Sequence, residues 1–334
     1  MRIYTVQVAL VRESGGLGDI VCMGAAAMAL TAENPDVTIH AFVPRDFLEI
    51  AQHLVGIDSV QSLGAVSELS SVRRRRDQPL DRKKYPYLKV LDGIEWDKIV
   101  DLYCPGFLYE CSSVQRVTLG RAALFAMAAG VKSLAQAIPM WQSTWSERNI
   151  AEELYKTIPR RVDKPIIGVS LRSTCRARAY PQSRWKELLE SIAQWADVVY
   201  LDCVNFPFQI PHVTSILRKP IPVVAALLPL LNGFLTVDTL FIHLCASVGL
   251  STLGVFGPTE GKAVGGKYSE TRWINGEGKQ CPFACHYRRF IGWNPDKCRP
   301  NGCERMLSIS PAQINYALKE WIQNGEDISS PHFV

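Results

Sequence analysis

Val6-Gln7-Val8-Ala9-Leu10-Val11-Arg12-Glu13-Ser14-Gly15-Gly16-Leu17-Gly18-Asp19 decides the fold. Residues 3 to 12 read as an apolar strand, 14 to 19 as a Gly-rich turn, and 20 to 33 as an Ala-rich helix stopping before Asn34-Pro35. The same grammar continues outward. Val37 to Val43 is a β-branched strand, Arg45 to Val55 a helix, and Val60 to Leu63 a short strand; Trp96 to Leu102 is another strand, followed by a helix from Arg116 to Gly130. Strands alternating with helices predict a parallel sheet covered on both faces.

The charged, Pro-containing segment from Arg160 to Pro165 reads as a domain boundary, after a helix over Glu147 to Ile158. Beyond it the pattern restarts. Strands are expected at Ile166 to Leu171, Val198 to Asp202, Gly233 to Val237 and Thr252 to Phe256. Helices are expected at 183–195, 222–231 and 239–248, with an amphipathic helix from Pro311 to Gln323 carrying Ile314, Leu318 and Ile322 on one stripe. The expected architecture is α/β: two doubly wound Rossmann-like domains, 1–160 and 161–310, facing across a cleft, with a C-terminal helix and tail at 311–334 packing back.

The length of 334 residues exceeds one domain of roughly 100–200 residues and agrees with this division. Composition is that of a folded globular protein, with 47% apolar and 21% charged residues. No stretch reaches the roughly 18 apolar residues of a membrane span, and the opening apolar run is too short for an export signal, so a cytoplasmic location is expected, with any membrane contact peripheral at the inner face. The ten cysteines then favour thiols and metal ligation over a disulfide framework.

In open parallel sheets ligands bind at the carboxyl ends of strands, so the loops there carry the chemistry. The Gly15, Gly16, Gly18 turn lacks the G-x-G-x-x-G spacing of a dinucleotide loop. Asp19 stands where a phosphate would otherwise sit, which leaves two readings open: a general base toward a hydroxyl acceptor, or a helix N-cap. After the strand at 166–171, Arg172, Ser173, Thr174, Arg176 and Arg178 precede Tyr180-Pro181, a set of guanidinium forks and hydroxyls suited to a diphosphate or to a solvated basic loop. Asp238 and Thr239 end a strand, with Asp238 expected to cap the next helix and His243 one turn in. Gly257, Pro258 and Thr259 form a neighbouring turn in which the glycine would let backbone approach a ligand.

Cys281, Cys285, Cys298 and Cys303 give C-x3-C-x12-C-x4-C, a spacing compatible with a structural zinc or iron tetrathiolate in segment 281–303; disulfides or free thiols are the alternative. The cations Arg73, Arg74, Arg75, Arg76, Arg82, Lys83 and Lys84 are interleaved with Tyr85 and Tyr87 and suit an anionic acceptor, whether glycolipid at a membrane surface or nucleic acid.

The ordered set of these motifs, from Arg12 to Asp19 through Asn34-Pro35-Asp36, Trp96 to Leu102, Gly168 to Trp185, Val237-Asp238-Thr239 with His243-Leu244, and Phe256-Gly257-Pro258-Thr259 to the cysteines, resembles glycosyltransferase family 9. That is the ADP-heptose:lipopolysaccharide heptosyltransferase group, of GT-B fold. The resemblance implies that Asp19 is the base, that Arg178 contacts the donor diphosphate where members often carry Lys, that Asp238 and Thr239 hold donor sugar and phosphates, and that the cysteine segment is linked to iron in some relatives. Leu240 replaces the usual Gly after Asp238-Thr239, Met23 and Gly24 stand where members tend to carry Thr and Pro, and 200–220 is short.

The implied activity is inverting transfer of heptose or hexose from an ADP- or UDP-linked sugar to a hydroxyl of a lipopolysaccharide core or related glycan, without a catalytic metal. The donor-side residues are Arg172, Ser173, Thr174, Arg178, Asp238, Thr239, His243, Gly257, Pro258 and Thr259. The acceptor-side residues are Gly16, Gly18, Arg73, Arg74, Arg75, Arg76, Lys83 and Lys84. A phage-type DNA glycosyltransferase, a protein O-glycosyltransferase and a nucleotide-sugar sensor are the alternatives, and the number of subunits is left open.

Overall fold

A computed structural model describes residues 5–72, 78, 80–103, 119–278 and 303–324. Of these, the residues up to Gln142 form one compact unit and those from Ser143 the other. The boundary therefore falls before the helix expected at 147–158, not after it at 160. Thr144 starts that helix with a reciprocal capping box, its hydroxyl accepting from the Glu147 amide while Glu147 accepts from the Thr144 amide.

In the first unit the strands β1 (Val6–Val11), β2 (Val37–Val43), β3 (Ser59–Ser62) and β4 (Lys98–Asp101) form a parallel sheet in the order β3-β2-β1-β4. Helix α1 (Leu17–Glu33) starts inside the glycine turn, three residues earlier than expected, because Gly16 takes the N-cap position. Its run of small and straight-chain residues favours helix and buries Ile20, Val21, Met23 and the alanines from Ala25 to Ala27. Short α2 (Leu48–Ala51) replaces the longer helix expected at 45–55, and α3 (Val66–Val72) follows β3. Helix α1 packs along α4 (Arg121–Ala128), whose buried alanines allow close approach.

The second unit opens with α5 (Trp145–Lys156) and continues through β5 (Ile166–Ser170), α6 (Trp185–Ala193), β6 (Asp197–Asp202), β7 (Val213–Leu217), α7 (Ile221–Leu227), β8 (Gly233–Val237), α8 (Leu240–Ser247), β9 (Thr252–Phe256), α9 (Gly261–Gly265), β10 (Thr271–Asn275), α10 (Glu304–Leu307) and α11 (Pro311–Asn324). Its parallel sheet has the order β10-β9-β8-β5-β6-β7. Helix α5 packs on α7, the contact that assigns it to this unit. The central strands β5, β8 and β9 are buried along their whole length, as expected where both faces of a parallel sheet are covered. The expected stripe of α11 packs inward: Ile314 and Leu318 are fully buried, Ile322 rests on Gly233, and the helix lies against α6 and β9.

Both sheets reverse direction once. In the first, β1 is flanked by β2 and β4; in the second, β5 is flanked by β6 and β8. The crevices at the carboxyl ends of the pairs β1/β4 and β5/β8 are therefore the topological switch points, where open α/β sheets bind ligands. Among the described residues no helix is long and apolar enough to cross a membrane.

Candidate functional site

Polar side chains gather at each switch point, and each group is built within its own unit. In the first unit Arg12 directly follows β1. Its Nη1 donates across the crevice to the carbonyls of Leu102 and Tyr103, just beyond β4, the latter at 2.6 Å. Its Nη2 donates to Asp19 Oδ2 at 2.7 Å, while Arg121 Nε, from the first residue of α4, donates to Asp19 Oδ1 at 3.0 Å. Both guanidiniums lie 5.4 Å from the centre of the Phe125 ring. The arginine side chains are 3% and 6% exposed and that of Asp19 20%, so the carboxylate is the member of this triad that reaches solvent.

Asp19 is not the N-cap. It sits at the third helical position and accepts the Gly16 amide at 3.3 Å, a local bond that orients the carboxylate without occupying the cap. Gly15 has φ +129°, and a Cβ there would stand 2.2 Å from Arg12 Nη2 and 2.6 Å from Asp19 Oδ2. The turn is thus glycine-rich because the ion pair fills the space a side chain would need. Gly16 has open space where a Cβ would be, so its role is that of a cap with no side-chain bond. Gly18 lies half-buried in the first turn of α1.

In the second unit Arg178, on the loop after β5, faces Asp238, directly after β8, with Nη1 3.4 Å from Oδ2. The same Oδ2 accepts the hydroxyl of Thr259, on the loop after β9, at 2.7 Å. Asp238 is 6% exposed. Burial works against the charge on Arg178, and Asp238 and Cys175, through charge and hydrogen bonds, together more than offset it, leaving the guanidinium pKa above its ordinary value. Thr239, not Asp238, caps α8, its hydroxyl accepting from the Phe241 amide at 3.3 Å; the expected Asp cap fails because the carboxylate is drawn sideways to Arg178 and Thr259.

Arg172, earlier on the same loop after β5 and half-exposed, lies 3.6 Å from Asp202, which ends β6 one strand over. Asp202 also accepts the Tyr200 hydroxyl at 2.8 Å; burial first, then this bond, pushes the Tyr200 pKa well up. Ser173 accepts from the Cys175 amide at 3.3 Å, and Thr174 is exposed on the same loop. His243 is buried in α8 with Nδ1 2.8 Å from the Tyr268 hydroxyl. Pro258 is buried. Gly257 lets the chain pack closely on α10: a Cβ there would lie 2.8 Å from the Met306 Cβ and 3.0 Å from its amide nitrogen.

Of the expected basic patch, Arg73 to Arg76 lie outside the described residues, while Lys83 and Lys84 are exposed in a turn. Tyr85, interleaved with these cations in the sequence, is 7% exposed, belongs to a core cluster against which Tyr87 also packs, and donates its hydroxyl to Gln78 at 2.6 Å. Of the four cysteines, Cys281, Cys285 and Cys298 lie outside the described residues, and Cys303 is buried at the start of α10 among apolar side chains. Among the described residues no cluster of His, Cys, Asp and Glu could hold a metal.

Arg12, Arg121 and Asp202 are the site residues that the sequence did not single out. Arg12 carries one local signal, its place immediately after a strand. Arg121 lies 102 residues from Asp19 and carries none.

No family model matches the chain, and no curated protein matches it. Solved structures do. The chain resembles a family 9 glycosyltransferase from Veillonella parvula, with a TM-score of 0.67 and 13% identity over 97% of this chain and 99% of that one. It also resembles the ADP-heptose lipopolysaccharide heptosyltransferase II of Escherichia coli, with a TM-score of 0.63 and 12% identity over 96% and 99%. The iron-containing dodecameric glycosyltransferase TibC of enterotoxigenic E. coli matches with a TM-score of 0.60 and 11% identity over 98% of this chain and 78% of that one. The chain therefore has the two-sheet α/β fold of these glycosyltransferases, in agreement with the expected fold class.

Proposed function

We propose that this chain is an inverting glycosyltransferase that moves a sugar from a nucleotide-diphosphate sugar to a hydroxyl of a glycan acceptor. The observation that carries the reading is the exposed edge of Asp19, a carboxylate oriented by two buried arginines at a switch point where a nucleotide fold ordinarily receives phosphate. The edge of that carboxylate left to solvent suits a hydroxyl proton. ADP-heptose is the favoured donor, since E. coli heptosyltransferase WaaC has been solved with ADP and with a fluorinated ADP-heptose.

In this reading the second unit takes the donor. Arg178 and Arg172, with the amides at the start of α8 behind Thr239, stabilise the charge that grows on the departing diphosphate, so no catalytic metal is required. Asp19 takes the proton of the acceptor hydroxyl as its oxygen bonds to the anomeric carbon and the bond from that carbon to the diphosphate oxygen breaks. Lys83 and Lys84 supply cations for an anionic acceptor such as a lipopolysaccharide core. Four thiolates at 281, 285, 298 and 303 leave a bound zinc or iron no open position, which makes such a metal structural; metal content of the purified protein tests it.

The test of function is a thermal-shift panel of ADP- and UDP-sugars, followed by assays of donor hydrolysis and of transfer to a lipopolysaccharide core. Stabilisation by a nucleotide-sugar with measurable transfer is expected. Binding with neither hydrolysis nor transfer would overturn the enzyme reading in favour of a nucleotide-sugar sensor.

A further inference from the structure

The loop after β5 carries Arg172, Arg176 and Arg178, and Ala177 is the buried side chain between its ends, Leu171 and Tyr180. Like charges this close in sequence repel, so a loop of this composition gains from being held at its base. The base is well defined. The Tyr180 amide donates to the Leu171 carbonyl at 3.0 Å and closes 172–179 into a compact loop whose ends meet.

The Tyr180 carbonyl accepts Trp185 Nε1 at 2.8 Å, its hydroxyl donates to the Ile309 carbonyl at 3.1 Å, and the side chain is buried in the core of the second unit. Burial pushes its pKa up to about 12 against an opposing effect of Arg184, so the hydroxyl stays a donor at neutral pH. Arg184, half-buried just before α6, donates through Nη1 to the carbonyls of Leu307 at 2.7 Å and Ile309 at 2.9 Å. Those acceptors lie at the end of α10 and in its connection to α11, a corner that other loops hold as well. Gly257, after β9, packs on Met306, and Ser308 accepts the amide of Glu277, after β10, at 2.8 Å.

We infer that Arg184 is a positioning residue: with Tyr180 it fastens the base of the arginine loop to the corner at 307–309, so that the loop is already ordered when it meets a diphosphate. The inference rests on the donor reading above and specifies how the loop of that site is preorganised. A loop that ordered only on meeting the anion would lose part of the binding free energy to that ordering.

The test is hydrogen exchange of the full chain without ligand, read by mass spectrometry, beside calorimetric titration with adenosine and uridine diphosphates. The proteins are the parent, Arg184→Gln, Arg184→Lys, Arg178→Gln, and the double variant of Arg184→Gln with Arg178→Gln. Arg184→Gln is expected to speed exchange in peptides covering 172–180, where the amides of Arg178 and Tyr180 bond across the loop, and to leave β8 and β9 at the parent's rate. It should weaken the diphosphate about tenfold, the scale of coupling within one contact network. Arg184→Lys, which can still donate to the same carbonyls, should stay within about threefold of the parent. In the Arg178→Gln background the loss should shrink, because part of it runs through that arginine.

A variant Arg184→Gln that keeps the parent's diphosphate affinity overturns the role and leaves Arg184 a stabilising residue only. Faster exchange spread evenly over the second unit has the same meaning, as do losses that add in full with Arg178→Gln. If Arg184→Gln does not fold, Tyr180→Phe carries the comparison, since it removes one of the bonds to Ile309; a weaker diphosphate with faster exchange at 172–180 supports the role, and an unchanged diphosphate overturns it. A parent that binds neither diphosphate overturns the donor reading and this role together, whereas equal binding by the parent and Arg184→Gln overturns the role alone.

Discussion

Replacing Asp19 by Asn perturbs two things at once, and the structure says how large each should be. The carboxylate is the counter-charge of Arg12 and Arg121, whose side chains are 3% and 6% exposed. Removing one partner of a buried ion pair costs roughly 3–5 kcal/mol. The lower end applies here, because Arg12 keeps the carbonyls of Leu102 and Tyr103 and the new amide oxygen can still accept one bond. A loss of about 3 kcal/mol lowers the melting temperature of the first unit by about 10 °C, at the few degrees per kcal/mol expected for a unit of this size. It still leaves a typical domain folded at room temperature, since domains are stable by about 5–15 kcal/mol.

The loss of a general base costs about 10²- to 10⁴-fold in rate. At 20 °C the folded population is barely altered, so a rate loss of that size is chemistry and not unfolding. The assay is initial-rate transfer at 20 °C beside calorimetric melting of the same sample, with donor affinity measured in parallel and expected within about twofold of the parent, because the donor residues belong to the other unit. Transfer within tenfold of the parent would refute the base assignment. An unchanged melting profile would refute the claim that the two arginines depend on this carboxylate.

Three further outcomes follow from the same geometry. Gly15→Ala should destabilise the first unit by roughly 2 kcal/mol or more, because φ is +129° and the new Cβ would lie 2.2 Å from Arg12 Nη2; thermal melting reads it, and an unchanged melting temperature would contradict the packing of the turn. His40 is held below its ordinary pKa of 6.5 by burial, partly opposed by Asp58, and it bonds to Ser59 and Gln7. The unfolded chain therefore binds the proton more readily than the folded one, so stability is fully present above about pH 6.5 and declines as pH falls through the lowered pKa. His40→Gln should flatten that part of a melting-temperature profile, and an identical slope in the variant would dismiss the linkage. Cys245 is buried with its thiol pushed up to about 12 by burial, whereas Cys203 is exposed, so a thiol reagent at pH 8 should label Cys203 in the native protein and reach Cys245 only on unfolding; mass spectrometry of the labelled peptides decides it.

Where the sequence alone carried the fold, it did so through periodicity. The strands Gly233–Val237 and Thr252–Phe256 stand where the unbroken apolar runs put them, because strands buried on both faces write their burial into every residue. The strands at Val213–Leu217 and Thr271–Asn275 were missed, for the converse reason: each lies at a sheet edge, where partial exposure admits polar residues and the pattern fades. Helix starts were misplaced where a glycine or a threonine took the cap position, at Gly16 and Thr144. At the site, Asp19, Arg178, Asp238 and Thr259 were legible as chemistry at strand ends. The partnerships among them were not, because the Arg121 bond to Asp19 spans 102 residues and the Thr259 bond to Asp238 spans 21, and no local rule encodes either.

The single reversal in each sheet has a consequence for how such a protein can change. In the second unit Arg178, Asp238 and Thr259 sit on the loops after β5, β8 and β9, inner strands of the sheet, while β7 and β10 lie at its margins. Substitutions on the marginal loops can then accumulate, altering what surrounds a bound molecule, without dislodging the charges that would act on its reacting bond. A fold organised in this way separates selectivity from reactivity along its own strand order, and a lineage could exchange one sugar or one acceptor for another while Arg12, Asp19 and Arg178 stay where they are.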